Sequence, residues 1–303
     1  MRARAWLKRL EAELQRAGKP RQEAFWLLGR ALGCSLKELP LHLDIPLDGE
    51  AEAWLEEGLK RRVEGYPLQL FLGSSEFFGL HLDVEEGVLL PRPETEELVA
   101  LALQELKPLV RPRILEVGTG SGAIALALKH ARPDAEIWAT EISPRALALA
   151  KKNGARYGLE IHWLQASLTG GLQGFDLLIA NPPYLPESYR SIAPAELAWE
   201  PEEALYAGEE GLDVARPLAQ QAQEALSPGG LLLLELSPFN LPLLARELLQ
   251  AGWQVSEEQD RSGALRFLKA RYGTREEAQQ EQRQGSKDSA AGSVGSRSQG
   301  PER

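Results

Sequence analysis

The sequence predicts an α/β fold: a mainly parallel, doubly wound sheet joined through a β-hairpin linker to a small all-helical N-terminal domain. Three observations predict it. From Pro112 onward, short apolar strands alternate with amphipathic helices, the pattern of a parallel sheet covered on both faces. A glycine-rich run, Gly118-Thr119-Gly120-Ser121-Gly122, directly follows the first of those strands. The first 72 residues show helical periodicity and no strand-like alternation.

Residues 1–72 carry apolar side chains at helical spacing in Trp6, Leu7, Leu10 and Leu14, and again in Ala24, Phe25, Leu27 and Leu28. Gly18-Lys19-Pro20, Gly33 and Pro40 are expected to divide the helices. No catalytic constellation occurs here, so the segment reads as a substrate- or partner-recognition domain. Residues 73–93 change character: Phe77 to Val84 is aromatic and partly alternating, and Val88-Leu89-Leu90 follows Glu86-Gly87. Two short strands around that turn predict the hairpin linker. Pro91-Arg92-Pro93-Glu94-Thr95 then opens a helix to about Leu106.

The sheet domain is expected over 94–272, with strands at 113–117, 136–140, 161–164, 175–180 and 231–236 and a final strand pair at 253–259 and 265–271. Helices are expected near 123–130, 144–157, 212–226 and 242–251, with Ser143-Pro144 capping the second. The tail, 273–303, is rich in Gln, Ser, Gly and Glu, has almost nothing to bury, and reads as disordered.

Composition excludes several classes. Hydrophobic residues make up 43% and charged residues 26%, as in soluble globular proteins. The longest apolar runs, such as Leu231 to Leu234, are far short of a membrane span. No apolar signal core follows the basic start, so the expected location is cytoplasmic. The single cysteine, Cys34, excludes an intramolecular disulfide and a cysteine-rich zinc site, and the four histidines show no ligand spacing, so no metal is expected. The net charge of -10 argues against broad nucleic-acid binding, which rests on neutralising phosphates. Nothing suggests an obligate dimer, and a monomer is expected.

The run Glu116-Val117-Gly118-Thr119-Gly120-Ser121-Gly122 sits where doubly wound folds bind nucleotides, at the carboxyl end of a first strand. It has no Gly-Lys-Ser/Thr of a P-loop, and its spacing lacks the G-x-G-x-x-G of a dinucleotide site. Glu116 would be unfavourable beside a pyrophosphate but suits a ligand bearing an amino group and a sulfonium, such as S-adenosylmethionine. Alone, the run is also compatible with an ordinary strand-to-helix turn. Glu141 ends the next strand roughly 20 residues on, where a carboxylate can accept hydrogen bonds from both ribose hydroxyls. By itself it too reads as a strand-end acid; the pairing favours the cofactor.

Phe175 to Ala180 reads as a buried strand that ends in Asn181-Pro182-Pro183-Tyr184, facing the same crevice. Prolines remove two backbone donors and leave outward carbonyls. If the Asn181 side chain accepts one N–H of a planar amide and the Pro182 carbonyl the other, the nitrogen is fixed with its lone pair free for in-line methyl transfer. Such positioning is worth roughly 7–11 kcal/mol. Acceptors aimed at nitrogen also stabilise the positive charge that develops there. Tyr184 is expected to pack on the planar group.

At these residues the chain resembles the release-factor glutamine methyltransferases, the HemK/PrmC family, over nearly its whole length before the tail. Phe77-Phe78-Gly79, Pro91 to Glu96, Glu116 to Ala125, Asn181 to Tyr184, and Glu200-Pro201 with Ala204-Leu205 ahead of Gly211-Leu212-Asp213 carry the likeness. The Asn-Pro-Pro-Tyr box is shared with adenine-N6 and other amino methyltransferases, whereas the Pro-Arg-Pro-Glu-Thr stretch behind a helical domain is more specific. The resemblance implies a Rossmann-like class I S-adenosylmethionine methyltransferase whose partners are class 1 peptide-chain release factors. It implies methylation of the glutamine amide in their Gly-Gly-Gln motif, yielding N5-methylglutamine and S-adenosylhomocysteine. The expected cofactor residues are Glu116, Gly118 to Gly122, Glu141, Ser167, Leu168 and Asn181; Asn181 to Tyr184 are expected to hold the substrate, with Asn181, Pro182 and Tyr184 as the catalytic set. Ser167 stands where the family commonly has Asp beside the adenine, and Glu141 replaces the more usual Asp. Ser237-Pro238-Phe239-Asn240 departs from the family's Gly-x-x-Gln-like stretch. An adenine-N6 methyltransferase acting on DNA or RNA, and a silent S-adenosylmethionine-binding module, are the alternatives. The -10 balance speaks against the first and an intact Asn181 against the second.

Overall fold

The computed structural model describes residues 1–273, so the tail beyond Gly273 lies outside the described residues. The N-terminal part is helical: α1 (Ala3–Arg16), α2 (Glu23–Leu32), α3 (Leu39–His42), α4 (Gly49–Val63) and α5 (Leu68–Leu72). Trp6, Leu10 and Leu14 recur every fourth residue on one face of α1 and are buried against Leu27 and Leu28 of α2 and Leu55 and Leu59 of α4. Burying each such side chain is worth roughly 1.5–3 kcal/mol. Asp48 caps α4, accepting from the Ala51 N–H at 2.8 Å. Pro40, expected to separate helices, instead lies in the first turn of α3, where a missing N–H costs nothing.

The linker hairpin is shorter than its sequence suggested. β1 (Ser74–Phe77) and β2 (Leu80–Asp83) pair antiparallel, with Phe77 opposite Leu80. Phe78 and Gly79 form the two-residue turn with φ of 49° and 79°, the left-handed pair that suits strand twist. The turn therefore falls inside the stretch read as one strand, and 88–90 forms no strand. The Leu90 N–H goes instead to Glu200 Oε2 at 3.0 Å.

The remainder is α6 (Pro93–Glu105), β3 (Arg113–Val117), α7 (Ala123–Ala131), β4 (Glu136–Glu141), α8 (Pro144–Tyr157), β5 (His162–Gln165), β6 (Phe175–Ala180), α9 (Ala215–Ala225), β7 (Leu226–Glu235), α10 (Leu241–Gln250), β8 (Trp253–Gln259) and β9 (Leu265–Tyr272). Three short 3-10 turns, Glu187–Ser191, Ala195–Trp199 and Glu202–Ala204, lie between β6 and α9. The sheet order is β5-β4-β3-β6-β7-β9-β8. β5 through β7 run parallel, and β9 inserts antiparallel between β7 and β8. One apolar core lies between the sheet and α6 with α7, the other between the sheet and α9 with α10.

Register positions the site. Val117 is level with both Thr140 and Ala180, Glu141 with Gln165, and Ala180 with Leu234. Gly118, Glu141, Ala166, Asn181 and Glu235 therefore line up along one carboxyl edge. The chain order reverses on either side of β3, which opens the crevice where such sheets take ligands. Among the described residues, no helix is long and apolar enough to cross a membrane.

Candidate active site

A cavity of about 480 Å³ opens at that edge, within the range of small-molecule sites. Glu116, Gly118 to Ser121, Glu141, Ser167, Leu168 and Asn181 to Pro183 line it. Its charge is one-sided. Glu116, Glu141, Glu203 and Asp213 stand in the wall against Arg92, the single basic side chain among the described lining residues, and Arg92 is bonded to Glu200. When ionised, these acidic groups accept rather than donate hydrogen bonds, so the wall suits a cationic ligand and disfavours a phosphate.

The glycine loop is held from below. The N–H groups of Gly118 and Thr119 both donate to the Thr140 carbonyl, at 2.9 and 3.0 Å. Gly118 and Gly120 adopt φ of 71° and 56° with open space where a Cβ would stand, so conformation rather than crowding selects glycine there. Glu116 closes the turn: its Oε2 accepts from Thr119 Oγ1 at 2.6 Å and from the Ala125 N–H at 2.9 Å. Burial pushes the Glu116 carboxyl up to about 8, against the pull of those two bonds and with the help of the Glu141 charge.

Glu141 is also committed to backbone. Its Oε2 accepts from the Gly120 N–H and its Oε1 from the Ser143 N–H, each at 2.9 Å. Each oxygen retains a further lone pair, and Glu141 stands in the cavity wall. Ser167 is exposed at the rim. Leu168 has a left-handed φ of 50°, a costly conformation for this residue. The Thr140 hydroxyl donates to its carbonyl at 2.6 Å and Gln221 holds Thr169 beside it, which keeps the strained wall in place.

Two of the sequence-selected residues lie outside the cavity wall. Gly122 has φ of 88°, and a Cβ there would meet Ala150 and Leu126 at 3.2 Å, so it serves close helix packing. Tyr184 is half-buried against the sheet–α9/α10 core rather than facing the cavity. Burial, with the nearby Glu235 charge, pushes its phenol up to about 12, and its carbonyl accepts from Asn240 Nδ2 at 2.8 Å.

Several site residues were not selected from sequence. Asn181 Nδ2 donates to Thr95 Oγ1 at 3.0 Å, and Thr95 Oγ1 donates to Glu235 Oε2 at 2.8 Å. Glu235 is a lone acid near the end of the apolar β7, and that isolation was the available signal. Glu200 binds both the Leu90 N–H and, at 2.6 Å, Arg92 Nη2, drawing the segment after Asn181 over the cavity. Asn153 accepts from the Asp83 N–H and donates to the Ser121 carbonyl, tying the hairpin to the glycine loop. No cluster of three or more metal-ligating side chains occurs among the described residues.

Comparison with known proteins adds three findings. Residues 5–73 match the PrmC N-terminal domain and residues 96–196 the Methyltransferase small domain. The release factor glutamine methyltransferase of Deinococcus radiodurans is 48% identical over 276 residues, covering 89% of this chain and 99% of that protein. That of Moorella thermoacetica is 41% identical over 222 residues, covering 72% and 78%. In fold, the chain is similar to the hMettl16 catalytic domain in complex with a 3′UTR hairpin, with a TM-score of 0.52 at 18% identity over 77% of this chain and 84% of that one.

Proposed function

The chain belongs to the release factor glutamine methyltransferase family, and from that premise we propose that it methylates the side-chain amide nitrogen, N5, of the glutamine in the Gly-Gly-Gln motif of class 1 peptide-chain release factors. The observation that carries the chemical half of this reading is the position of Asn181. It stands one residue beyond the carboxyl end of β6, level with Gly118 across the parallel register, in the wall of one cavity.

The residues present fit S-adenosylmethionine. The four wall carboxylates and carboxylic acids suit its ammonium and sulfonium, and Glu141 offers free lone pairs to ribose hydroxyls. Gly118, Thr119, Gly120, Ser121, Glu116, Glu141, Ser167 and Leu168 would hold it. When bound, it supplies a methyl group on positively charged sulfur. On the acceptor side, Asn181 Oδ1 and the Pro182 carbonyl would receive the two amide N–H groups. The nitrogen lone pair would then face the methyl group. Methyl transfer there would form a C–N bond at the expense of the C–S bond, whose electron pair would stay with sulfur. The positive charge passed to nitrogen would be stabilised by the Asn181 and Pro182 acceptors until one proton leaves to water. No strong base is required, because the proton becomes acidic only as the methyl arrives. The N-terminal helical domain, 1–72, would engage the release factor. Together, domain 94–272 and the hairpin linker 73–93 would hold the chemistry.

The test uses radiolabelled methyl donor with three acceptors: a release factor, the same factor with its motif glutamine changed, and DNA. Label on the first alone is expected. Label on DNA, or equal label on both factors, would overturn the reading.

A further inference from the structure

Asn181 can accept a hydrogen bond from a substrate amide only when its carboxamide is turned with Oδ1 toward the cavity and Nδ2 away. The two orientations have nearly the same shape, so packing alone does not choose between them. Hydrogen bonding does. Nδ2 stands 3.0 Å from Thr95 Oγ1, which stands 2.8 Å from Glu235 Oε2. A hydroxyl has one proton, and a carboxylate is acceptor-only. The Thr95 proton therefore points to Glu235, leaving a lone pair that can receive only a donor, the Nδ2–H.

We propose that Thr95 and Glu235 are positioning residues: together they fix the carboxamide of Asn181 with its oxygen facing the acceptor nitrogen. The inference rests on the methyl-transfer reading of the cavity and adds the device that makes Asn181 competent for it. The three groups come from three elements. Thr95 lies in the first turn of α6, Asn181 follows β6, and Glu235 ends β7 beside Asn181 in the parallel register. Thr95 is 4% exposed and Glu235 1%, so water has little access to the bond between them. In such surroundings a fully connected chain of bonds specifies one arrangement.

The arrangement has a pH signature. Burial pushes the Glu235 carboxyl up to about 7, opposed by the Thr95 bond and by Arg266 and Arg92, and assisted by Glu94. Those groups and Tyr184 are the charged and titratable neighbours that most influence it. When Glu235 takes a proton it can donate to Thr95 Oγ1. The Thr95 proton then turns to Asn181, which must offer Oδ1 to it and loses its productive orientation. Turnover therefore falls as pH drops through about 7.

The experiment follows kcat, KM for release factor and cofactor Kd in the full-length protein. Thr95→Val should lower kcat roughly ten- to hundredfold, the scale of one misdirected buried polar group. Cofactor Kd should stay within about twofold, because the donor side of the cavity is untouched. Thr95→Ser should recover most of the turnover. Glu235→Gln, which cannot titrate, should abolish the acid limb of the kcat–pH profile. The Asn181 side-chain amide resonance should shift in Thr95→Val. Wild-type turnover in Thr95→Val, failure of Thr95→Ser to recover it, or an acid limb that survives Glu235→Gln would overturn the proposal. A wild-type protein that labels no release factor would overturn the methyl-transfer reading instead. In that case an unchanged Asn181 amide resonance in Thr95→Val would separately reject the positioning role.

Discussion

Gly118 directly follows β3, Glu141 ends β4 and Ser167 lies two residues beyond β5, and the bonds that hold the first two run to backbone within 22 positions. Across the cavity, Asn181 also follows a strand end, but its neighbours come from afar. Thr95 lies 86 positions away and joins Glu235 across 140; Glu200 reaches Leu90 and Arg92 across 110 and 108. The donor side is thus built mostly from main chain, and the acceptor side from side chains of distant segments. Main chain tolerates changes in side chain; a relay of side chains does not.

The sharpest way to separate the two sides is Asn181→Ala. Turnover should fall by roughly 10²–10³-fold, the scale of losing one preorganised polar contact to developing charge. Cofactor affinity, measured by calorimetry, should change little, because Asn181 makes no bond to the glycine loop. An equal loss in both quantities would show that the two sides are not separable.

Glu141→Gln tests the donor side in the opposite sense. Two backbone N–H groups point at its two oxygens. An amide satisfies one and opposes the other with its own N–H. Cofactor Kd should weaken roughly tenfold or more, while kcat at saturating cofactor should hold within a few fold. A fall in saturated kcat larger than the change in Kd would place Glu141 in the chemistry rather than in holding the ligand.

The same contrast explains what sequence revealed. The alternation after Pro112, the glycine loop, Glu141 and the Asn181 box are local patterns, and register then fixes their proximity. The hairpin was misplaced because a non-glycine residue, Phe78, takes a left-handed φ that no periodicity signals. Pro40 misled because a proline ends a helix or begins one, depending on its turn. Tyr184 was legible as a motif residue but not as one facing the core, since both uses favour an aromatic ring. Thr95 and Glu235 escaped for a physical reason: their partner choice depends on how α6 docks on β7. A lone acid in an apolar strand shows that a partner exists and does not say which.

A smaller effect is expected from pH on the donor side. The Glu116 carboxyl, pushed up to about 8 by burial, favours its neutral form in the folded protein. A raised acid contributes stability that is full below its unfolded value near 4.5 and is lost as pH rises through about 8. A cationic ligand beside it favours the carboxylate instead. Cofactor binding near pH 7 should therefore release close to one proton per site, read as a difference in binding heat between buffers of unlike ionisation enthalpy. Affinity should rise with pH by up to about tenfold per unit below 8. Glu116→Gln should remove the proton release; its persistence there would assign it to another group.

The smallest expected effect lies between the domains. Glu196, in the 3-10 turn Ala195–Trp199, pairs with Lys19 and, at 3.0 Å, with Arg62, which itself holds the buried Glu23. Burial works against the Glu196 charge, but Lys19, its own backbone N–H and Arg62 outweigh that and hold the carboxyl down at about 2. A depressed acid contributes stability above its unfolded value near 4.5 that is lost as pH falls toward 2, so the tie is intact at neutral pH. Its side chain is 29% exposed, which limits such a pair to roughly 1 kcal/mol or less. Glu196→Gln should therefore raise KM for the release factor only about two- to fivefold. It should leave kcat and cofactor Kd in place, because neither side of the cavity depends on the pair. A loss in kcat comparable to that of Thr95→Val would mean that helical-domain placement reaches the Asn181 carboxamide through Glu200 and Arg92. The acceptor side would then extend to Lys19 and Arg62 of the helical segment.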